Sequence, residues 1–174
     1  MAVYEYFGLA IDIPENDSEY VGYFEAAKSH HLVVRKCLGC GLLRAEPGAS
    51  CEWCPSMQWV WQPVSGKGTI FSYQIVVHTV LAGFRDWTPF PIVLVELDEQ
   101  RGLPSKDDGL RITANLLNSS LKPELEDNVA IGKRVDVMFV DLDCGLTLPQ
   151  FRLVDEPPWE PVWRHSLYGN PIVS

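Results

Sequence analysis

The chain has 174 residues, 47% of them hydrophobic and 21% charged, and its formal net charge at pH 7 is -9. These values are typical of a globular protein of one domain, or of one domain with a small appended module. Proteins that bind nucleic acid rely on lysine and arginine to displace counterions from phosphate, so the acidic balance argues against a general role of that kind.

The first 16 residues, MAVYEYFGLAIDIPEN, lack the basic leader of a secretory signal and include Glu5 and Asp12. No segment of the sequence has the roughly 20 consecutive apolar residues of a membrane span. We therefore expect a cytoplasmic protein without membrane contact. Thiols stay reduced in that compartment, and paired cysteines there favour a metal site over disulfides.

The segment from residue 16 to residue 31, NDSEYVGYFEAAKSHH, predicts the first helix. Asn16 is a suitable N-cap, and Glu19 three residues later completes a capping box. An apolar face recurs at helical spacing: Tyr20, Val21, Phe24 and Ala27. This face fits either the protein's own core or a groove on a partner protein.

Four cysteines stand in two Cys-x2-Cys pairs between predicted strands at 32–36 (LVVRK) and 58–64 (QWVWQPV). The ligand set is Cys37, Cys40, Cys51 and Cys54. Each pair places two sulfurs on one tight turn, and two such turns together form a tetrahedral shell of four thiolates. Gly39 and Gly41 supply the permissive backbone that the first turn needs. The spacing predicts a zinc ribbon.

The metal in such a ribbon is expected to be structural. Zinc is the default, and an all-cysteine shell also accepts iron as in a rubredoxin. A catalytic zinc keeps an open position for water or substrate, whereas four thiolates leave none. A small ribbon buries little apolar surface, so its fold should depend on the metal.

Five β-rich segments follow the ribbon, with little helix predicted between them. They are GTIFSYQIVVHTV (68–80), PIVLVELD (91–98), LRITANLL (110–117), RVDVMFVDL (134–142) and TLPQFRLV (147–154). Five strands of this kind suit a small, partly open Greek-key barrel of the OB type. Another small barrel or a sandwich has the same strand count, so the count alone leaves these alternatives open.

The predicted fold class is therefore mainly β, with four parts: an N-terminal arm and helix (1–31), a four-cysteine zinc ribbon (32–64), a five-stranded OB-type β-barrel (65–154) and a C-terminal tail (155–174). The segment QRGLPSKDDG (100–109) is polar and contains glycine, which predicts a mobile hairpin loop. The tail is rich in proline yet carries Trp159 and Trp163. We expect it to lie against the protein's own body or against a partner subunit.

No pattern in the sequence indicates an active site, and we expect no catalytic residue. Nucleophile elbows, phosphate loops and dinucleotide-binding glycine motifs are absent from it. His78, predicted on the longest strand, is typical of a hydrogen-bonded strand histidine, although it could line a cleft. Asp98 and Glu99 stand at a loop edge, which indicates solvated charge. The lone Cys144 favours a partly buried thiol over a nucleophile.

The order of these features resembles one known family. A helix (EYVGYFEAAKSHHLVVRKC) precedes the ribbon, and a barrel opening with GKGTIFSYQIVVHTV continues through PIVLVELDE, ITANLL, IGKRVDVMF and LPQFRLV. In this order, over residues 18–154, the chain resembles the DUF35 family of OB-fold proteins with a rubredoxin-like zinc ribbon. The loop at 100–109 and the C-terminal tail depart from the family pattern.

The resemblance implies an accessory function in acyl-CoA metabolism. Proteins of this family are small subunits or fused domains that pair with thiolase-like enzymes, including acetyltransferases, thiolases and aldolases that cleave sterol side chains. The partner carries the catalytic residues, and the ribbon-barrel subunit helps to form the acyl-CoA site of a hetero-oligomer. In this sequence Arg35, Lys36 and Arg44 are the candidates to face CoA phosphates.

Two other functions have a basis in the sequence. OB folds and ribbons often bind single-stranded nucleic acid, but an acidic barrel lacks the cationic groove that phosphates need. A rubredoxin-like electron carrier would hold iron between the four cysteines, and the protein would be red when purified in air.

Overall fold

The computed structural model describes residues 2–6, 9–13, 19–143, 145–165 and 172–173. Within these residues the helices are α1 (Val21–Lys28) and the 3-10 turns Ala82–Trp87, Asp98–Gln100 and Glu126–Asn128. The strands, in chain order, are β1 (Ala2–Tyr6), β2 (Leu9–Ile13), β3 (Leu32–Cys37), β4 (Leu43–Arg44), β5 (Trp59–Val64), β6 (Lys67–Val76), β7 (Phe90–Leu97), β8 (Arg111–Asn115), β9 (Arg134–Asp141), β10 (Thr147–Leu153), β11 (Trp163–Arg164) and β12 (Ile172–Val173).

The chain divides into two compact units. The first, here called the ribbon unit, contains the residues up to Ser65 together with 99–110 and 139–149. The second, here called the barrel unit, contains 66–98, 111–138 and the residues from Gln150 onward. The four-part division predicted from the sequence stays a prediction.

The ribbon unit is built on the antiparallel sheet β4-β3-β5. Its central strand β3 is buried at five of its six positions, which suits a run that begins Leu-Val-Val. The strand pair β1–β2 forms a separate antiparallel hairpin. Tyr4 of this hairpin packs with Leu146, and Phe24 of α1 lies against them.

Helix α1 is shorter than the sequence predicts, because it begins at Val21 with Tyr20 as its N-cap and no side-chain capping bond. Asn16 lies outside the described residues. Glu19 does not complete a capping box, since its carboxylate pairs with Arg35 and its carbonyl accepts a second bond from that guanidinium. Ala27 is fully buried, so the apolar face of the helix packs on the protein's own core.

The barrel unit is built on the five-stranded sheet β10-β9-β6-β7-β8. A bridge between Leu116 and Phe151 brings the two edges of this sheet together, so the barrel is nearly closed. Its interior consists of fully buried aliphatic side chains, including Ile70, Val93, Val95, Leu97, Leu116 and Val135. The predicted mainly β fold with a five-stranded barrel is confirmed, and a sandwich is excluded.

The first described part of the tail, residues 155–165, packs on the barrel of the same chain. Trp159 lies over the guanidinium of Arg134, with 4.3 Å between the carbon and the ring centroid. Glu156 accepts a bond from Lys67 at 2.7 Å, and Trp163 forms a β-bridge with Ile131. These residues of the tail therefore contact the protein's own barrel, and contact of the tail with a partner subunit stays a prediction.

The predicted mobile loop begins with a buried residue. Gln100 is 5% exposed, and its side-chain amide bonds both the N–H and the carbonyl of Leu43 in β4. The Gln100 side chain thus makes the two hydrogen bonds to the edge strand β4 that the backbone of a neighbouring strand would otherwise make. None of the described helices is long and apolar enough to cross a membrane.

Candidate metal centre

Four sulfurs converge at one end of the ribbon sheet. The Sγ atoms of Cys37, Cys40, Cys51 and Cys54 all lie within 4.8 Å of one another. The Sγ of Cys37 is 3.5 Å from that of Cys54, and the Sγ of Cys40 is 3.7 Å from that of Cys51. The predicted pairing of two turns into one site is therefore confirmed, and among the described residues no other His, Cys, Asp or Glu cluster of this kind occurs.

Local backbone geometry places the sulfurs. Cys37 ends β3, and its N–H donates to the carbonyl of Leu42, which folds the first turn back on the strand. Gly41 has a φ of 80°, the left-handed region that favours glycine. A Cβ on Gly39 would lie 3.0 Å from the Sγ of Cys54, so the two turns approach as closely as a glycine permits.

The protonation of the thiols differs within the cluster. Hydrogen bonds from the amides of Cys40 and Gly39 lower the pKa of the Cys37 thiol to about 6. The pKa of Cys40 is raised to about 12: the amide of Leu42 lowers it, but burial and the neighbouring sulfurs raise it by more. Four thiolates so close together repel one another unless a cation lies among them, and a coordinating cation deprotonates its thiols.

The cluster fits a tetrahedral metal ion. A Zn–S bond of about 2.3 Å in tetrahedral geometry sets the sulfurs about 3.8 Å apart. The two shortest sulfur separations, 3.5 and 3.7 Å, are close to that value. Cys37 and Cys51 are buried, Cys54 is half-buried and Cys40 is exposed, so burial does not close the site, but four thiolate ligands leave no open position for water or substrate. The donor set therefore suits a closed, structural site.

A cation–π stack supports the ribbon behind the cysteines. The guanidinium carbon of Arg35 lies 4.2 Å from the Trp59 ring centroid and 5.6 Å from that of Trp61. Arg35 also forms an ion pair with Glu19. Gly22 of α1 lies so close to Trp61 that a Cβ there would come within 2.1 Å of the indole nitrogen.

The three basic residues named as candidate CoA contacts differ in exposure. Arg35 and Arg44 are 1% and 6% exposed, and both donate hydrogen bonds within the ribbon unit. Lys36 is half-buried. The CoA contact stays a prediction, and exposure favours Lys36 for it.

The groups considered for catalysis do not form a site within the described residues. Strand β6 ends at Val76, so His78 lies in an exposed loop and not on the strand as predicted. Asp98 is not solvated charge, because it forms a bidentate pair with Arg134 at 2.6 and 2.7 Å. Cys144 lies outside the described residues.

A cavity of about 240 Å³ lies along strands β6, β7 and β8 of the barrel unit. It is lined by Ser72, Tyr73, Gln74, Ile92, Val93, Leu94 and Thr113. The lining includes the hydroxyls of Ser72, Tyr73 and Thr113 but no His, Cys, Asp, Glu or Lys, so no general base among the lining residues would activate a hydroxyl.

The sequence patterns did not predict two structural features of the ribbon unit. The hairpin β1–β2 was predicted only as an arm, although alternating apolar and polar residues on both sides of Phe7-Gly8 are a recognisable hairpin signal. The role of Gln100 in extending the ribbon ladder has no sequence signal, because it joins residues 57 positions apart.

Comparisons with known proteins agree with this architecture. Residues 61–140 match the family model described as the ChsH2 C-terminal OB-fold domain. Among solved structures, the chain labelled Ltp2-ChsH2(DUF35) aldolase is 32% identical with a TM-score of 0.64, and the match covers 81% of this chain and 98% of that one.

Two curated relatives extend the comparison. A probable enoyl-CoA hydratase alpha subunit of Thermomonospora curvata is 34% identical over 75% of this chain, which spans 36% of that protein's length. A DUF35 domain-containing scaffold protein of Methanothermobacter thermautotrophicus is 29% identical, over 63% of this chain and 72% of that protein.

Proposed function

Because this chain belongs to the DUF35 family of OB-fold proteins, we propose that it is a non-catalytic, metal-binding subunit of an enzyme complex. Its partner is a thiolase-like protein: a thiolase, an acyltransferase or a side-chain-cleaving aldolase. The observation that carries the proposal is the 32% identity over 98% of a DUF35 chain whose solved structure is described as an aldolase with a second component, Ltp2.

The substrate class proposed for the complex is an acyl-CoA thioester. The name of the Thermomonospora curvata relative, an enoyl-CoA hydratase subunit, supports this class. The partner supplies the reacting groups, and this chain helps to form the shared acyl-CoA site, with Lys36 as the candidate contact to CoA phosphate.

The metal proposed for the four-cysteine site is zinc. Zinc takes four thiolates in a closed tetrahedral shell. It has no redox chemistry, and the proposed function needs none. Cys37, Cys40, Cys51 and Cys54 hold it. We also propose a cytoplasmic location, where thiols stay reduced and available to the metal.

A neutral, exposed segment of the barrel unit supports a protein partner. In a chain of net charge -9, residues 68–84 contain no Asp, Glu, Lys or Arg. Within this run Val77 is 74%, Val80 86% and Leu81 47% exposed. Exposed aliphatic side chains in a run of sequence without charged residues favour contact with an apolar protein surface over contact with a phosphate backbone or an anionic lipid surface.

The test is co-expression of this chain with a thiolase-like protein, and a thiolase-like reading frame adjacent to this chain's gene would be the first choice. We expect the pair to co-elute as a hetero-oligomer and to convert acyl-CoA, while this chain alone is inert. Val77→Asp with Val80→Asp should abolish co-elution without unfolding the chain. Leu125→Asp, at a site 68% exposed in the same unit, is the matched control.

Two results would overturn the proposal. One is full acyl-CoA turnover by this chain alone. The other is a partner that neither co-elutes with the chain nor changes its activity in the chain's presence. The rubredoxin-like alternative predicts a red protein with one iron after aerobic purification, whereas the proposed function predicts a colourless protein with one zinc.

A further inference from the structure

Arg44 is a buried cation without a carboxylate partner among the residues that the structure describes. It is 6% exposed. Its Nη1 donates to the carbonyl of Ser50 at 2.6 Å, but its Nε and Nη2 have no hydrogen-bond partner and are shielded from solvent. The other buried arginines differ, because Arg35 pairs with Glu19 and Arg134 pairs with Asp98.

A buried positive charge without a compensating partner at this position is unfavourable for folding. Removing a guanidinium from water is strongly unfavourable unless an opposite charge or a full set of hydrogen bonds compensates it. One carbonyl satisfies one of the five N–H groups of an arginine. A negative group near Arg44 would therefore explain why a buried arginine is present here.

In the ladder between β3 and β4, Arg44 lies opposite Arg35, and Arg35 is paired with Glu19. The chain segments that Arg44 joins point to the cysteine cluster as the negative group. Arg44 ends β4, which follows the turn of Cys37 and Cys40, and Ser50 immediately precedes Cys51 at the start of the second turn. The hydrogen bond from Arg44 to Ser50 therefore joins the segments that carry the two cysteine pairs. Four thiolates around one divalent metal ion form a dianion, which is the largest concentration of negative charge that the ribbon can hold.

We propose that Arg44 is the counter-charge of the metal–tetrathiolate centre. Its charge stabilises the four thiolates through the low-dielectric interior of the ribbon, and its bond to Ser50 holds the second turn in place. This proposal rests on the metal assigned above and not on the enzyme partner, so failure of co-elution would leave it standing.

The first experiment measures metal affinity in the full chain. Cobalt(II) is titrated by its thiolate charge-transfer absorption, and zinc is then ranked by competition. Loss of outer-shell partners typically lowers metal affinity 10- to 100-fold. We expect a fall in that range for Arg44→Gln, a smaller fall for Arg44→Lys, and no change for the exposed control Lys28→Gln.

The second experiment separates charge from packing. In the iron-substituted protein, removing a positive charge beside the centre favours Fe(III), so Arg44→Gln should lower the midpoint potential while Arg44→Lys keeps it at the wild-type value. If Arg44→Gln does not fold, Arg44→Lys decides the question, because a lowered potential with the charge retained would overturn the proposal. Wild-type affinity and potential in Arg44→Gln, or a wild-type chain that binds no metal, would overturn it equally.

Discussion

Gly22 of α1 faces the indole of Trp61 at a distance that leaves no room for a side chain. A Cβ at this position would lie 2.1 Å from the indole Nε1. Helix propensity alone predicts that Gly22→Ala stabilises the protein by about 1 kcal/mol. Overpacking of a well-packed contact costs about 1–3 kcal/mol. We expect the second effect to be larger, because Trp61 also stacks on Arg35 and cannot move freely.

The measurement for Gly22→Ala is the free energy of unfolding from urea denaturation. Gly48→Ala is the matched control in the same unit, because a Cβ there would meet only ordinary contacts at 3.7 and 3.8 Å. A variant at Gly22 that is as stable as the wild type or more so would show that the helix is not held against Trp61.

Asp141 joins the end of α1 to the strand β10. It accepts a bond from the Thr147 hydroxyl at 2.7 Å and pairs with His30 at 3.0 Å. Thr147, and after it His30, hold the pKa of the Asp141 carboxyl below its ordinary value of 3.8. A folded-state pKa that is lower than the unfolded one stabilises the fold above the unfolded pKa, and this stabilisation disappears as the pH falls through the folded pKa.

Asp141→Asn should therefore be less stable than the wild type at pH 7, and the difference should shrink below a pH of about 4. Unfolding curves at pH 7, 5 and 3 measure this difference, and Asp143→Asn serves as the control from the same turn. A difference that is the same at pH 3 and pH 7 would contradict the assignment.

At the residue scale, the sequence predicted the clustering of the four cysteines better than the surroundings of the basic residues. Cysteine spacing within a chain segment is a local property, so Cys37, Cys40, Cys51 and Cys54 could be identified without the fold. Whether Arg35 and Arg44 face solvent or the interior depends on what packs over them. Arg35 is covered by Glu19 and two tryptophans, and no local sequence pattern predicts these contacts.

At the element scale, the barrel strands were predictable because each is a continuous β-rich run. Predicted and observed strands agree within a few residues at all five positions, from β6 (Lys67–Val76) to β10 (Thr147–Leu153). Helix α1 was predicted too long, because Glu19 is engaged by Arg35 and cannot start the helix. The surface on which the tail docks could not be predicted, because its contacts with Arg134 and Lys67 join segments that are distant in the sequence.

Trp159→Ala tests the docking of the tail on the barrel. Arg134 is 3% exposed and Trp159 is 54% exposed, so the cation–π contact is only partly desolvated and is expected to contribute about 1 kcal/mol. We expect a loss of that size in the free energy of unfolding of the barrel. Trp53→Ala, at a 42% exposed ring in the ribbon unit, is the control. No loss in Trp159→Ala would mean that the tail is not held by this contact.

At the scale of the whole molecule, the two units are assembled from segments that are not contiguous in the sequence. Residues 99–110, between β7 and β8, belong to the ribbon unit, and so do residues 139–149, which include the end of β9 and the start of β10. Gln100 illustrates the reason, since its amide bonds to Leu43 extend the ribbon sheet. Hydrophobic periodicity identifies strands and helices, but it does not say which loop completes which sheet.

Metal removal should affect the two units differently. Cys37 and Cys51 are buried at the end of the ribbon sheet, and a small ribbon depends on its metal for stability. The barrel has its own core of fully buried residues, including Ile70, Val93 and Val95. After chelation, amides of β3 and β5 should lose protection from hydrogen exchange, while those of β6 and β7 keep most of theirs. Restored zinc should return protection to β3 and β5 in the wild type, and less completely in Cys51→Ser, which leaves an open coordination position. Uniform loss of protection in both units, or no loss in either, would contradict a structural metal confined to the ribbon.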